Sequence, residues 1–222
     1  MFNRPAPSTL DFTRGQNEQI EEIEEHLRGV AGNLAEVGRL WASQGLRVAQ
    51  SSLKVAEDTL RETARTLAEL HQRSIVHKDI KPHNILLGRS DGRRDGPWDQ
   101  VKLIDFGIAM HLAHELARPT GPDSLEGTLI YMSPEQSGRV NRVVDPRTDL
   151  YSLGVTLYEM LTGSPPFASR DAMELVHSHI ARVPAPPRTR VPQLPQVVSD
   201  IVVRLLAKAP EDRYQHALGL AA

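Results

Sequence analysis

The chain has 222 residues, 40% of them hydrophobic and 24% charged, which is the composition of an ordinary globular domain. Its formal net charge of -2 lacks the basic excess that binding to nucleic acid or to an anionic membrane requires, so we expect neither partner. Because it has no cysteine and no apolar run of about 18 residues, disulfides, thiolate zinc sites and membrane-spanning helices are excluded, and a cytoplasmic location is favoured.

The N-terminal third predicts two amphipathic helices. Apolar residues recur at three- and four-residue steps over 16–42, so this segment is expected to form a helix that packs on its own domain or associates with a helical partner or a second copy. A second helix is predicted from about Ser52 to Gln72. Its apolar face consists of Leu53, Ala56, Leu60, Ala64, Leu67 and Leu70.

A polar loop, residues 77–84, follows the second predicted helix directly. Pro82 disfavours helical geometry at the residue before it, and no apolar periodicity crosses the loop. Asp79 and Lys81 are two positions apart, so in a loop their side chains can point at one spot. This stretch is the main candidate for catalytic residues.

Two short apolar runs, 85–87 and 101–104, predict the strands of a hairpin, joined by a polar turn with two Asp-Gly pairs. Asn84 precedes the first strand and Asp105 follows the second, so both are expected at the mouth of the hairpin. Amide and carboxylate oxygens are ligands that Mg²⁺ prefers. The sequence therefore predicts a magnesium site there.

The remaining chain alternates predicted loops and helices. Residues 108–129 lack periodicity and contain several prolines and glycines, so they are expected to form a loop, and 183–195 form a proline-rich connector. Four helices are predicted, the last of them truncated by the chain end, at 148–161, 171–181, 196–208 and from 214 onward.

Three motifs together resemble those of protein kinases. His-Lys-Asp-Ile-Lys-Pro-His-Asn at 77–84, Asp-Phe-Gly at 105–107 and Ser-Pro-Glu at 133–135 resemble the catalytic loop, the metal-binding turn and the end of the activation segment. The resemblance covers about residues 52–222, with an activation segment at 105–135. It implies an α+β, mainly α fold: the large C-terminal kinase lobe, with short β-hairpins at the catalytic loop.

The resemblance also implies an activity, the transfer of the ATP γ-phosphoryl group to a serine or threonine of a protein substrate in signal transduction. Asp79 would accept or orient the proton of the substrate hydroxyl, and Lys81 would neutralise the transferring group. Asn84 and Asp105 would hold Mg²⁺ and, with Lys81, the nucleotide. Thr128 would hydrogen-bond Asp79 and Lys81 and border the substrate groove.

Five further residues match supporting positions of the family. His77 begins the catalytic loop, and Gly107 would give the metal-binding turn its conformational freedom. Glu135 and Arg213 resemble a buried ion pair that anchors the activation segment. Asp149 resembles the aspartate that holds the backbone of the catalytic loop.

Two features qualify the resemblance. No glycine-rich loop and no strand lysine precede residue 77, so the small β lobe that clamps ATP is expected to be missing, and residues 1–51 form an extension without an assigned counterpart. Alternatives to an active kinase are therefore an impaired interaction module or a fragment whose small lobe lies upstream.

Residues 131–142 resemble most closely the kinase module of large bacterial signalling proteins that also contain an ATPase and a sensor histidine kinase.

Overall fold

The computed structural model describes residues 45–88, 100–112 and 129–221. The predicted helix at 16–42 and the predicted catalytic residue Thr128 lie outside the described residues, so both stay predictions. Within the described ranges the fold is mainly α-helical, with two two-stranded antiparallel sheets.

The first described helix, α1, spans Gly45–Gln72 and begins seven residues before the predicted start at Ser52. The apolar stripe used for the prediction is absent from residues 45–51, but Leu, Arg, Ala and Gln in that segment are good helix formers. The predicted apolar face is buried or half-buried, with Ala64 and Leu67 fully inaccessible to solvent. Helix α1 thus packs along the core and leads directly into the polar loop.

The strands are short and pair antiparallel. Strand β2, Ile85–Gly88, pairs with β3, Gln100–Leu103, close to the predicted hairpin. Strand β1, Ile75–Val76, pairs with β4, Met110–His111. The expectation of a loop throughout 108–129 was therefore wrong at its start, because a two-residue strand is too short to show alternation in the sequence.

Helix α2, Arg147–Thr162, is the centre of the core, with 13 of its 16 residues buried. A helix that is covered on every side needs no polar face, and its sequence is accordingly apolar or small nearly all round. It ends at Gly163, which has φ 76, at the predicted stop. A Cβ atom on Gly154 would lie 2.7 Å from the Cβ of Leu205, so the neighbouring helix approaches this position closely.

Four shorter helices complete the described fold. Asp171 caps the first of them by accepting hydrogen bonds from the amides of Met173 and Glu174. The proline-rich connector predicted at 183–195 contains a single helical turn with proline at its first position, a place that proline favours. These helices are α3 Ala172–Ala181, α4 Pro187–Arg190, α5 Gln196–Leu205 and α6 Leu218–Ala221.

A second apolar cluster joins the segment 129–132 to α3. It consists of Leu129, Met132, Phe167, Leu175 and Val176, all at least nine-tenths buried. The end of the predicted activation segment is therefore packed against a helix. None of the helices in the described ranges is long and apolar enough to cross a membrane.

Candidate active site

The polar loop brings together two predicted catalytic residues, Asp79 and Lys81, and the predicted metal ligand Asn84. Lys81 has extended backbone (φ -154), and a single 3-10 turn, Pro82–Asn84, follows it. The Lys81 Nζ donates to Asp79 Oδ2 at 2.7 Å, and the Asn84 Nδ2 donates to the same oxygen at 2.9 Å and to the Asp79 carbonyl at 2.8 Å. One carboxylate oxygen thus receives both donors.

The other carboxylate oxygen, Asp79 Oδ1, is buried and has no hydrogen-bond partner among the described residues. Leaving a polar atom in this condition costs about 1–3 kcal/mol, more if it is charged. A hydroxyl donor supplied from outside would satisfy it. The loop is therefore arranged to receive a hydrogen-bond donor at Oδ1.

The predicted metal ligands lie at the end of the β2–β3 ladder. The Ile104 amide donates to the Asn84 carbonyl at 3.1 Å, which extends the pairing by one step, so Asp105 comes one residue after the partner of Asn84. Because the Asn84 Nδ2 faces Asp79, its Oδ1 lies on the opposite side of the amide group. Asp105 is exposed, and its carboxylate and the Asn84 amide oxygen are both of the ligand types that Mg²⁺ prefers.

The metal-binding turn has its unusual backbone at Asp105, not at Gly107. Asp105 has φ 62, whereas Gly107 is outside the left-handed region, so the predicted reason for the glycine was wrong. Aspartate enters this region more readily than most residues. Gly107 has a different role: its amide donates to Asp105 Oδ1 at 3.2 Å, and a Cβ there would lie 3.1 Å from that oxygen.

Asp149 holds the start of the catalytic loop from helix α2. Its side chain is fully buried. Oδ2 accepts from the His77 amide at 2.9 Å and lies 2.9 Å from the His71 Nε2, while Oδ1 accepts from the Lys78 amide at 2.8 Å. One carboxylate therefore fixes two consecutive peptide groups just before Asp79.

His77 connects the catalytic loop to the metal-binding turn. Its Nε2 lies 3.1 Å from the Ile104 carbonyl, which can only accept, so Nε2 carries the proton. The Nδ1 then accepts from the Asp79 amide at 3.3 Å. The ring also lies 4.7 Å from that of Phe106, so His77 fixes both segments at once.

Glu135 and Arg213 form a bidentate ion pair, with Nη1–Oε1 at 2.7 Å and Nη2–Oε2 at 2.9 Å. The side chains are 1% and 0% exposed, respectively, so the pair is wholly desolvated. Thr148 donates to Glu135 Oε1 at 2.9 Å. Arg213 also donates to the carbonyls of residues 147, 207 and 208. The end of the predicted activation segment is thereby tied to the C-terminal region.

Sequence reasoning missed Gln136. Its Nε2 donates to the Lys78 carbonyl at 2.8 Å, and its Oε1 accepts from the Ser133 amide and hydroxyl at 3.0 Å each. A neutral side chain outside the three motifs gave no chemical signal. The serine followed three residues later by glutamine is nevertheless a capping-box pattern, and it could have indicated this turn.

Sequence reasoning also missed the contact between Tyr131 and Glu159. The Tyr131 hydroxyl donates to Glu159 Oε2 at 2.5 Å. Burial, followed by the charge of Glu159, raises the pKa of the Tyr131 phenol above its usual range. The tyrosine is thus a neutral donor that fastens the segment before Ser133 to helix α2.

Several curated proteins are similar to the chain. It is 40% identical over 147 residues, 66% of its length, to a probable serine/threonine-protein kinase PknB of Bifidobacterium longum, of which it covers 20%. It is 38% identical over 152 residues to PknB of Mycolicibacterium smegmatis (68% of this chain, 23% of that protein) and 43% identical over 148 residues to Pkn1 of Myxococcus xanthus (67% and 20%). The chain thus spans about a fifth of the length of these relatives.

The model of one family, the protein kinase domain, matches residues 32–220. This match begins upstream of residue 52, where the motif-based resemblance starts, and the boundary between 51 and 52 stays a prediction. The ATPase and histidine kinase modules of the narrower resemblance also stay predictions. The match covers most of the chain, including the catalytic loop, the metal-binding turn and the Glu135–Arg213 pair, and the chain belongs to the protein kinase domain family.

Proposed function

We propose that this chain carries the catalytic lobe of a cytoplasmic serine/threonine protein kinase, which transfers the γ-phosphoryl group of ATP to a hydroxyl of a protein substrate. The observation that carries the proposal is the arrangement around Asp79. One carboxylate oxygen is occupied by Lys81 and Asn84, and the other is buried with no partner in the described ranges. A substrate hydroxyl fits the second oxygen.

In the proposed reaction, the substrate hydroxyl donates a hydrogen bond to Asp79 Oδ1. Its oxygen forms a bond to the γ-phosphorus while the bond from that phosphorus to the β–γ bridging oxygen breaks, so ADP leaves with that electron pair. The hydroxyl proton passes to Asp79. The Lys81 ammonium, held 2.7 Å from Oδ2, lies close to the reacting centre and offsets its negative charge.

The donor set at Asn84 and Asp105 fits the Mg²⁺ that protein kinases use. Both side chains offer oxygen ligands, and each is constrained by a hydrogen bond: Asn84 donates to Asp79, and Asp105 accepts from the Gly107 amide. Bound Mg²⁺ would neutralise charge on the ATP phosphates. The protein's part is to keep the amide oxygen and the carboxylate at adjacent positions of the β2–β3 end.

Specificity for serine and threonine is part of the proposal. Lys81 follows Asp79 by two positions, as in serine/threonine kinases, and the relatives named above are called serine/threonine-protein kinases. The predicted contacts of Thr128 would add to this specificity. Phosphoamino acid analysis of the product distinguishes it from a tyrosine kinase.

The deciding experiment is phosphotransfer by the full chain from radiolabelled Mg-ATP to a mixed pool of serine-, threonine- and tyrosine-containing peptides. Asp79→Asn should lower the rate by about 10²–10⁴-fold, since it removes the proton acceptor. Asp200→Asn, the same change at an exposed position, is the matched control. Absence of transfer at millimolar Mg-ATP, or equal transfer by the Asp79 variant, would contradict the proposal.

A further inference from the structure

The backbone at Lys78 is unusual and lies directly before the catalytic aspartate. Lys78 has φ 69, in the left-handed region that residues with a Cβ seldom occupy. Such a conformation costs energy and persists only where the surroundings hold it. The direction in which Asp79 leaves the backbone depends on it.

Two side chains hold the Lys78 backbone, one at its amide and one at its carbonyl. The Asp149 Oδ1 accepts from its amide at 2.8 Å, and the Gln136 Nε2 donates to its carbonyl at 2.8 Å. Asp149 comes from the buried helix α2. Gln136 comes from the 3-10 turn Pro134–Ser137, which ends the predicted activation segment. The left-handed residue is therefore fixed by one contact from the core and one from the segment.

The orientation of Gln136 is determined by its other contacts. Its Oε1 accepts from the amide and the hydroxyl of Ser133. The Lys78 carbonyl can only accept, so the nitrogen end must face it. All three hydrogen bonds of the Gln136 carboxamide therefore require the same orientation, with its oxygen toward Ser133 in the turn and its nitrogen toward Lys78 in the catalytic loop.

We propose that Gln136 is a positioning residue, through which the end of the activation segment sets the orientation of Asp79. The inference rests on the proposed kinase function, because Asp79 is the group that it positions. When the turn is in place, Gln136 holds the Lys78 carbonyl and with it the left-handed backbone. When the turn shifts, one of the two bonds on this residue is lost.

The test uses Gln136→Glu in the full chain. Glutamate has the same length and keeps an acceptor for Ser133, but it cannot donate to Lys78 and places a charge against that carbonyl. Ser137→Ala is the matched control: its hydroxyl donates to the Pro134 carbonyl within the same turn and does not bond the catalytic loop. If the glutamate variant does not fold, Gln136→Met, of the same length and uncharged, replaces it.

Two measurements are made on each variant: steady-state kinetics with Mg-ATP, and hydrogen–deuterium exchange of amides 77–81. A small misplacement of a catalytic group can cost about 100-fold, so we expect kcat to fall about 10- to 100-fold while KM for ATP changes less than about twofold. Exchange at the amides of Lys78 and Asp79 should become faster. Ser137→Ala should change neither quantity.

A folded Gln136 variant with unchanged kcat and unchanged exchange overturns the inference, as does an equal loss in Ser137→Ala. The two measurements separate this inference from the proposed function. If the wild-type chain transfers no phosphate, the kinase proposal fails, and the exchange comparison alone decides whether Gln136 fixes the loop. Unchanged exchange in that case overturns it as well.

Discussion

The Glu135–Arg213 pair allows a quantitative test of how the end of the predicted activation segment is anchored. Glu135→Gln keeps the size of the side chain and one acceptor oxygen, but it removes the charge and replaces the second acceptor oxygen with an NH2 donor. The Arg213 guanidinium, 0% exposed, then stays charged without its ion-pair partner. Breaking a buried pair in this way typically costs about 3–5 kcal/mol, mostly because of the unpaired charge that is left behind.

The remaining contacts place the two single variants at different points of that range. After Glu135→Gln, Arg213 still donates to three backbone carbonyls, so we expect stability to fall by about 3 kcal/mol. After Arg213→Met, the Glu135 carboxylate keeps only Thr148 among its described partners, and the three carbonyls lose a donor. We expect that loss to be about 5 kcal/mol.

Thermal unfolding followed by far-UV circular dichroism measures both losses. For a domain of this size each kcal/mol lowers Tm by about 2–4 °C, so the expected decreases lie between roughly 6 and 20 °C. The matched control is Glu211→Gln. Its pair with Arg142 is exposed, with side chains 57% and 42% accessible, and we expect no measurable change in Tm.

A Tm decrease below about 2 °C for Glu135→Gln would contradict this expectation, because such a result means that the buried charge is not left unpaired. A larger loss for Glu135→Gln than for Arg213→Met would also contradict it, since it reverses the order set by the carbonyl contacts.

Two further predictions concern stability. Gly154→Ala should lower the free energy of unfolding by about 1–3 kcal/mol, because its Cβ would lie 2.7 Å from the Cβ of Leu205. Gly219→Ala is the control: the nearest atom to its Cβ would be 4.0 Å away, so it should change that free energy little. Equal effects of the two substitutions in urea unfolding would contradict this prediction. Burial, helped by the charge of Lys208, lowers the pKa of His179 to about 4, so the unfolded chain binds the proton first as the pH falls below about 6.5. The wild type should lose about 2 kcal/mol more stability than His179→Phe between pH 7 and pH 5, and parallel urea-derived pH profiles for the two proteins would refute it.

The parts of the fold that the sequence predicts well are those with a strong local signal. Pro82 forces Lys81 out of helical geometry, and the Lys81 side chain does turn back to Asp79. The apolar run at 85–87 has turn residues beyond it and forms a strand. In both cases neighbouring residues alone determine the conformation.

The features that were missed depend on contacts between distant segments. Lys78 has a left-handed backbone, and its carbonyl accepts a hydrogen bond from Gln136, which is 58 residues further along the chain. No periodicity in the sequence marks either feature. Strand β4 exists only because β1 pairs with it. Such features follow from tertiary packing, which overrides local preference.

The two strand pairs also have a consequence for the order in which the site forms. The β1–β4 pair is the outer one in the chain, because β2 and β3 both lie between β1 and β4. Val76 and Met110 are about 34 positions apart, but once the β2–β3 pair has formed, the loop that the β1–β4 pair must close contains only about 14 residues. The smaller loss of loop-closure entropy lowers the free-energy cost of forming the β1–β4 pair by roughly 0.8 kcal/mol.

The catalytic loop and the metal-binding turn are then the two sides of one internal loop. Four residue pairs close it at the inner end and two at the outer end. The β1–β4 end has fewer residue pairs, but its Val76 and Met110 are only 0% and 4% exposed, so both ends of this loop are held. The residues proposed to hold Mg²⁺ lie at the β2–β3 end.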